Sequence, residues 1–286
     1  MSTTALLLVT AAALLHAAWN ALTKRAADSF VFLWSSMALA AVLFLPAALW
    51  LGVGPALGGP ATRLVLGTSV VHAIYFFTLA TAYRKGDFAL VYPVARGLGV
   101  ALAPALATVV FRESLSPLGL SGIALVVLGI VASGLAALGA RTTRAGIGQG
   151  AGWAIVTGLL IATYSLIDAA GARAMHPIPY IVAMSVGAVT LLSPYVLLRR
   201  RAALAHEWRK NGRTIVLAAT MNLTGYVLVL FAYRIAKTGY VIAAREISIV
   251  LSAFVGSVVF REGALGSRLV GAGLILAGVA CVAFAR

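Results

Sequence analysis

Acid is scarce in this 286-residue chain, where seven Asp and Glu stand against 22 Lys and Arg for a formal net charge of +15. So few carboxylates leave little material for an acid–base pair or a hard-metal site. Cysteine is rarer still, since Cys281 is the only one, and a lone thiol excludes an internal disulfide and a thiolate metal cluster. Charged residues of both signs make up 10% of the chain and hydrophobic ones 62%, with a mean hydropathy of +1.02. No soluble domain hides that much apolar surface, so lipid is the solvent. Neither a Walker A sequence nor a Gly-x-Ser-x-Gly elbow occurs, and His206-Glu207-Trp208-Arg209-Lys210 lacks the second histidine of a zinc-protease motif. ATP-driven pumping, serine hydrolysis and metal hydrolysis are therefore not expected, nor is a cofactor, and the chain does not read as an enzyme. No repeated filter loop points to a channel. The basic excess lies mainly in short connections between apolar runs, where it sets membrane orientation rather than binding nucleic acid.

What the chain has in abundance is long apolar segments. A helix needs roughly 20 mostly apolar residues to cross a bilayer, and such runs cover 4–22, 29–51, 62–83, 88–111, 117–138, 149–170, 177–198, 214–235, 239–260 and 267–284. Their length and continuity predict an all-α membrane protein of ten transmembrane helices rather than a barrel of short alternating strands. The first run ends in Lys24 and Arg25 and lacks the charged leader of a secretory signal, so it reads as a retained helix in an unprocessed chain.

The sequence also repeats itself. Ala95-Arg96 aligns with Ala244-Arg245, and Val109-Val110-Phe111-Arg112-Glu113 with Val258-Val259-Phe260-Arg261-Glu262, at one offset of 149; Gly122 and Gly129 then fall on Gly271 and Gly278. At an offset of 150 Ala82-Tyr83-Arg84 meets Ala232-Tyr233-Arg234, and at 148 Pro46 meets Pro194. The polar matches carry the weight, because apolar helices resemble one another by chance. Two repeats are predicted, residues 1–140 and 146–286, each of five helices. An odd number sends the second copy through the membrane from the opposite face, the inverted-repeat design of many secondary transporters.

On these features the chain resembles the EamA-type members of the drug/metabolite transporter superfamily. The likeness rests on ten short-looped spans, duplicated five-helix halves and the arginine or glutamate closing the fourth helix of each half; His16-Ala17-Ala18-Trp19-Asn20-Ala21-Leu22-Thr23-Lys24 also looks like a pattern found in a subgroup of EamA proteins. The resemblance implies an alternating-access carrier of small organic solutes, often an exporter, with a cavity near the middle of the bilayer.

Polar groups inside hydrocarbon are expensive and mark functional positions when they face a cavity. At the repeat offsets Asn20 pairs with Asp168, His16 with Tyr164, His72 with Asn222 and Arg96 with Arg245. Inverted repeats bring equivalent helices together about a pseudo-two-fold axis, so these groups should converge. His16, Trp19 and Asn20 share a helical face, as do His72, Tyr75 and Phe76, Asn222 and Tyr226, and Arg245, Ser248 and Ser252. The substrate-binding candidates are Arg96, Arg245, His16, Trp19, Asn20, His72, Tyr75, Tyr164, Asn222 and Tyr226. For the arginines the alternatives are an ion pair with Glu246 or Asp168, or snorkelling; for the histidines and aromatics the alternative is packing. Asp168 is either buried or interfacial. Pro93 and Gly97 flank Arg96, so a bent or broken fourth helix is expected. Glu113 and Glu262 read as structural, and Arg199-Arg200-Arg201 as a solvated loop.

The predicted function is a secondary transporter, an exporter, of a small polar or anionic organic metabolite in the cytoplasmic (inner) membrane. The partners are that solute and the lipid bilayer, with proton coupling through Asp168 or Glu246 as a candidate energy source. A lipid or headgroup flippase is the alternative, because arginines in a groove also suit a phosphate. Fourteen Lys and Arg lie in the odd-numbered loops and six in the even loops and termini, which by the positive-inside rule places both termini outside the cytoplasm.

Overall fold

The computed structural model of the chain describes residues 1–23, 26–54, 58–85, 88–138, 147–251 and 265–285. Among them ten helices follow in order: α1 Thr3–Thr23, α2 Ser29–Leu51, α3 Pro60–Lys85, α4 Phe88–Val110, α5 Pro117–Leu138, α6 Ile147–Ala174, α7 Pro177–Arg199, α8 Arg201–Ile235, α9 Thr238–Arg245 and α10 Leu265–Phe284. Helices are what an apolar chain must form in lipid, because each backbone group then finds its partner within the segment. Eight of these helices are long and apolar enough to cross a membrane, and α10 has a shorter apolar stretch, Leu269–Phe284.

Helix ends follow the local chemistry. Asp28 Oδ1 accepts from Phe30 N and Val31 N, both at 3.1 Å, at the start of α2, and His176 Nδ1 accepts from Ile178 N at 3.2 Å at the start of α7. These satisfy amide donors that the first turn leaves open. The start of α9 is held by Glu113, whose Oε1 accepts from Thr238 N at 2.9 Å and Thr238 Oγ1 at 2.8 Å. The same oxygen accepts from Arg173 Nη2 at 2.9 Å. Glu113 thus ties α9 to the α4–α5 connection and to the end of α6.

Small residues set the spacing between helices. On the α5–α10 contact, a Cβ added at Gly122 or Gly278 would come within 2.7 Å of the other's carbonyl oxygen, and one at Gly129 or Gly271 within 2.8 Å. Because 122 faces 278 and 129 faces 271, the two helices run antiparallel. The α4–α9 contact is antiparallel too, with Arg96 on Glu246 and Pro104 on Gly239. Likewise Phe30 meets Tyr195 and Trp34 meets Val189 between α2 and α7. The remaining contacts come in matched sets: α3 packs on α6 and α7, while α8 packs on α1 and α2.

The structure differs from the sequence reading in three places. Residues 201–213, expected as a loop, are the first part of α8, which bends at Asn211 (φ −123, ψ 16) before the membrane segment. The cause is Glu207, fully buried, whose Oε2 accepts from Ala27 N at 3.0 Å and Asp28 N at 2.9 Å and so docks this segment on the α1–α2 connection. Of the bend or break expected in the fourth helix, the break is absent, since α4 runs unbroken through Pro93; a proline near a helix start removes one bond, which a packed membrane helix tolerates. The break lies in the ninth helix, where Glu246 N bonds to Ala243 O at 3.2 Å in a tightened turn before helix resumes at 247. The Phe260-Arg261-Glu262 tripeptide, Ser252, Lys24 and Arg25 lie outside the described residues.

Candidate functional site

Where α1, α4, α8 and α9 meet, their polar residues enclose a cavity lined by Ala12, Ala13, His16, Trp19, Arg96, Asn222, Gly225, Tyr226, Val229, Arg245 and Ser248. Helical spacing explains the set. His16 and Trp19 lie on the face of α1 that begins with Ala12, and Asn222, Gly225, Tyr226 and Val229 form one face of α8. The small residue Gly225 lets α8 approach Leu15 and Ala12 on α1. His16 meets Trp19 edge-on at 5.1 Å between ring centroids. The free volume is about 20 Å³, enough for a water but far below a metabolite, since one water needs roughly 10–15 Å³ on this measure. In this conformation the cavity is too narrow for such a solute.

The two arginines have unequal surroundings. Arg96 is clamped by Glu246, Nε to Oε2 at 3.2 Å and Nη2 to Oε1 at 2.7 Å, with side chains 11% and 3% exposed. The guanidinium of Arg245 instead lies 5.4 Å over the ring of Tyr226. Among the described residues no carboxylate pairs with it. The cavity therefore holds one cation neutralised by a carboxylate and one that lies over an aromatic face with no carboxylate partner among the described residues.

Asp168 forms the centre of a second cluster directly behind Tyr226. It is fully buried, which decides between the two positions the sequence left open. Its Oδ1 accepts from Thr68 Oγ1 at 2.6 Å and from Tyr180 OH at 2.8 Å, and its Oδ2 accepts from Tyr226 OH. His72 Nε2 lies 3.9 Å from Oδ2, and His72 Nδ1 is 3.0 Å from both Thr68 Oγ1 and Thr68 O. The donor count fixes the tautomer. Thr68 has one hydroxyl proton and gives it to Asp168, so Nδ1 of His72 must carry a hydrogen to bond the threonine. That leaves Nε2 as the ring position facing the carboxylate, where a second proton would make an imidazolium–carboxylate pair. Tyr164 lies tilted over His72 at 4.4 Å between ring centroids, and Tyr75 meets Tyr164 edge-on at 5.4 Å.

The structure thus divides the predicted set. His16, Trp19, Arg96, Asn222, Tyr226 and Arg245 surround the cavity, whereas His72, Tyr75, Tyr164 and Asp168 form the adjoining cluster. Tyr226 belongs to both, with its hydroxyl on Asp168 and its ring on Arg245. Asn20 joins neither, since its amide donates to His16 O at 2.9 Å, and Glu246 lies behind Arg96. Sequence reasoning missed Thr68 and Tyr180. Thr68 had a signal, being one helical turn before His72 on the same face, but Tyr180 reaches Asp168 only because Gly171 leaves room for its ring.

Residues 148–284 match the model of the EamA-like transporter family. The second half of the chain is thus similar to that family. No curated protein matches the sequence. A solved structure, described only as the crystal structure of a protein, aligns over 99% of this chain and 98% of its own with a TM-score of 0.79 and 19% identity, a likeness of fold alone. The likeness to a transporter family over residues 148–284, together with eight helices long and apolar enough to cross a membrane, supports a multi-pass membrane protein of transporter type.

Proposed function

We propose that this EamA-type chain is a secondary transporter, an exporter of the cytoplasmic membrane, that moves a small polar or anionic organic metabolite by alternating access between inverted repeats 1–140 and 146–286. The observation that carries the reading is Arg245, a cation facing the cavity with no carboxylate partner among the described residues. A carboxylate or phosphate on the solute would meet it through charge-assisted, two-pronged hydrogen bonds. His16, Trp19 and Asn222 supply an aromatic wall and polar contacts for the rest of the molecule. The antiparallel α5–α10, α4–α9 and α2–α7 contacts and the matched packing of α3 and α8 support the inverted arrangement. Solute entry requires the narrow cavity to widen, as alternating access demands.

Proton coupling is assigned to Asp168 with His72 rather than to Glu246, because the carboxylate of Glu246 is held by both nitrogens of Arg96 that reach it. A proton loaded between Asp168 and His72 Nε2 would alter the pull on the Tyr226 hydroxyl, and Tyr226 is the wall against which Arg245 rests. The deciding experiment is uptake of a panel of small organic anions by proteoliposomes, with and without an imposed pH gradient. Arg245→Gln should reduce anion transport at least tenfold with insertion intact. Asp168→Asn should keep solute exchange and lose gradient-driven accumulation. Wild-type transport of neutral solutes only would reject the anion site, and accumulation indifferent to the gradient would reject the coupling.

A further inference from the structure

The transport reading leaves unused the basic segment between α7 and the membrane part of α8, together with the fully buried Glu207 inside it. Residues 201–210 are helical, and their two faces differ. Glu207 and Asn211 point inward: Glu207 holds the backbone of Ala27 and Asp28 and accepts from Asn211 Nδ2 at 2.5 Å. Trp208 Nε1 donates to Ser35 Oγ on α2 at 3.1 Å. The outward face carries Arg201, His206, Arg209, Lys210 and Arg213, all exposed. None of these outward residues forms an ion pair with a described acid.

The placement gives this face a partner. The segment begins where α7 ends and bends at Asn211 into the membrane-crossing part of α8, so it lies at the level of the lipid headgroups. Leu198, 80% exposed just before it, and Trp208, 40% exposed within it, are the side chains that dip into acyl chains and sit among headgroups. A buried carboxylate that costs solvation to fix a short cationic helix in place makes the face a rigid surface rather than a frayed loop. We propose that the basic face of residues 201–213 binds the phosphates of anionic phospholipids in the adjoining leaflet. Arginine forks and lysine ammonium groups are the donors suited to such phosphates.

The test is native mass spectrometry of the full-length protein in detergent, titrated with phosphatidylglycerol or phosphatidylcholine. Wild type should retain phosphatidylglycerol and shed phosphatidylcholine. A Lys or Arg near an anionic surface is worth about fivefold in binding, so Arg209→Gln/Lys210→Gln/Arg213→Gln should weaken phosphatidylglycerol binding about a hundredfold. Arg209→Gln alone should weaken it about fivefold, which keeps the test open if the triple variant does not fold. Arg63→Gln/Arg234→Gln, which removes charge at the opposite membrane face, should change nothing. Equal retention of the two lipids, or undiminished phosphatidylglycerol binding by the variants, would overturn the proposal. Displacement of the lipid by millimolar inorganic phosphate would overturn it as well, showing a free-anion site.

Discussion

Substituting each arginine by glutamine should separate them into a structural and a solute-binding group. Arg96→Gln leaves Glu246 as a carboxylate only 3% exposed with neither of its two guanidinium bonds. Removing one partner of a buried pair costs about 3–5 kcal/mol, because the remaining charge keeps its desolvation penalty. At roughly 2–4 °C per kcal/mol for a large domain, the unfolding midpoint in detergent should fall by about 10 °C. Glu246→Gln should fall by a similar amount for the same reason. The double variant Arg96→Gln/Glu246→Gln should recover most of the loss, since two amides leave no orphan charge. Arg245→Gln loses the contact with the Tyr226 ring, worth about 0.5–2 kcal/mol, and relieves a desolvated cation without stranding a carboxylate among the described residues, so its midpoint should move by a few degrees at most while anion transport drops. Thermal unfolding and proteoliposome uptake on the same four preparations decide the matter. If Arg96→Gln is as stable as wild type, or if Arg245→Gln unfolds early and transports normally, the division is wrong.

Other contacts make sharper local predictions. Gly129→Ala places a methyl within 2.7 Å of Gly271 O and should cost about 1–3 kcal/mol by forcing α5 from α10, whereas Gly67→Ala, 3.9 Å from Ile167, should unfold at the wild-type temperature. Thr68→Val removes a hydrogen bond to a buried carboxylate and should cost about 1.5–3 kcal/mol by denaturation in detergent. Burial, and then the nearby Arg234, push the His176 imidazole below its ordinary value of 6.5, so its stabilising contribution is present above that value and is lost as pH falls through the lower folded one. Protonated Nδ1 can no longer cap α7, a contribution of about 0.5–2 kcal/mol; unfolding midpoints measured from pH 7.5 down to 5 should fall in wild type more than in His176→Asn.

The spans were readable because apolar length is a local property of the sequence. Arg96 and Arg245 stood out for the same reason, as the cations inside two long apolar runs. What could not be read was the pairing across helices. Whether Glu246 would answer Arg245, its neighbour, or Arg96, 150 residues away, depends on a tightened turn of the ninth helix that no residue type announces. Tyr180 likewise reaches Asp168 through the space left by Gly171, a contact between α7 and α6 rather than a motif. The segment 201–213 looked like a loop because its charge hides a helical face of only a few residues, Leu204, Glu207 and Asn211, and because burial of a glutamate is the reverse of the usual pattern.

The inequality of the two arginines follows from one break in the repeat. At the offset of 149 Ala95-Arg96-Gly97 matches Ala244-Arg245-Glu246, so Glu246 stands where the first copy has Gly97. Under a pseudo-two-fold relation Glu246 answers Arg96 across the axis, and the group that should answer Arg245 is a glycine. Restoring symmetry should therefore supply the missing acid. A Cβ at Gly97 would meet only Ile130 Cγ2, at 3.7 Å, which is ordinary contact, so Gly97→Glu has room to start toward α9. Its carboxylate would then occupy the place proposed for the solute's anion, and a second buried ion pair with both partners present should leave the unfolding midpoint within a few degrees of wild type. Anion transport should be lost, while Gly97→Gln, of equal size but uncharged, should retain a substantial part of it. Transport retained by both variants would show that Arg245 does not bind the anion, and loss by both alike would assign the defect to bulk at Gly97 rather than to charge.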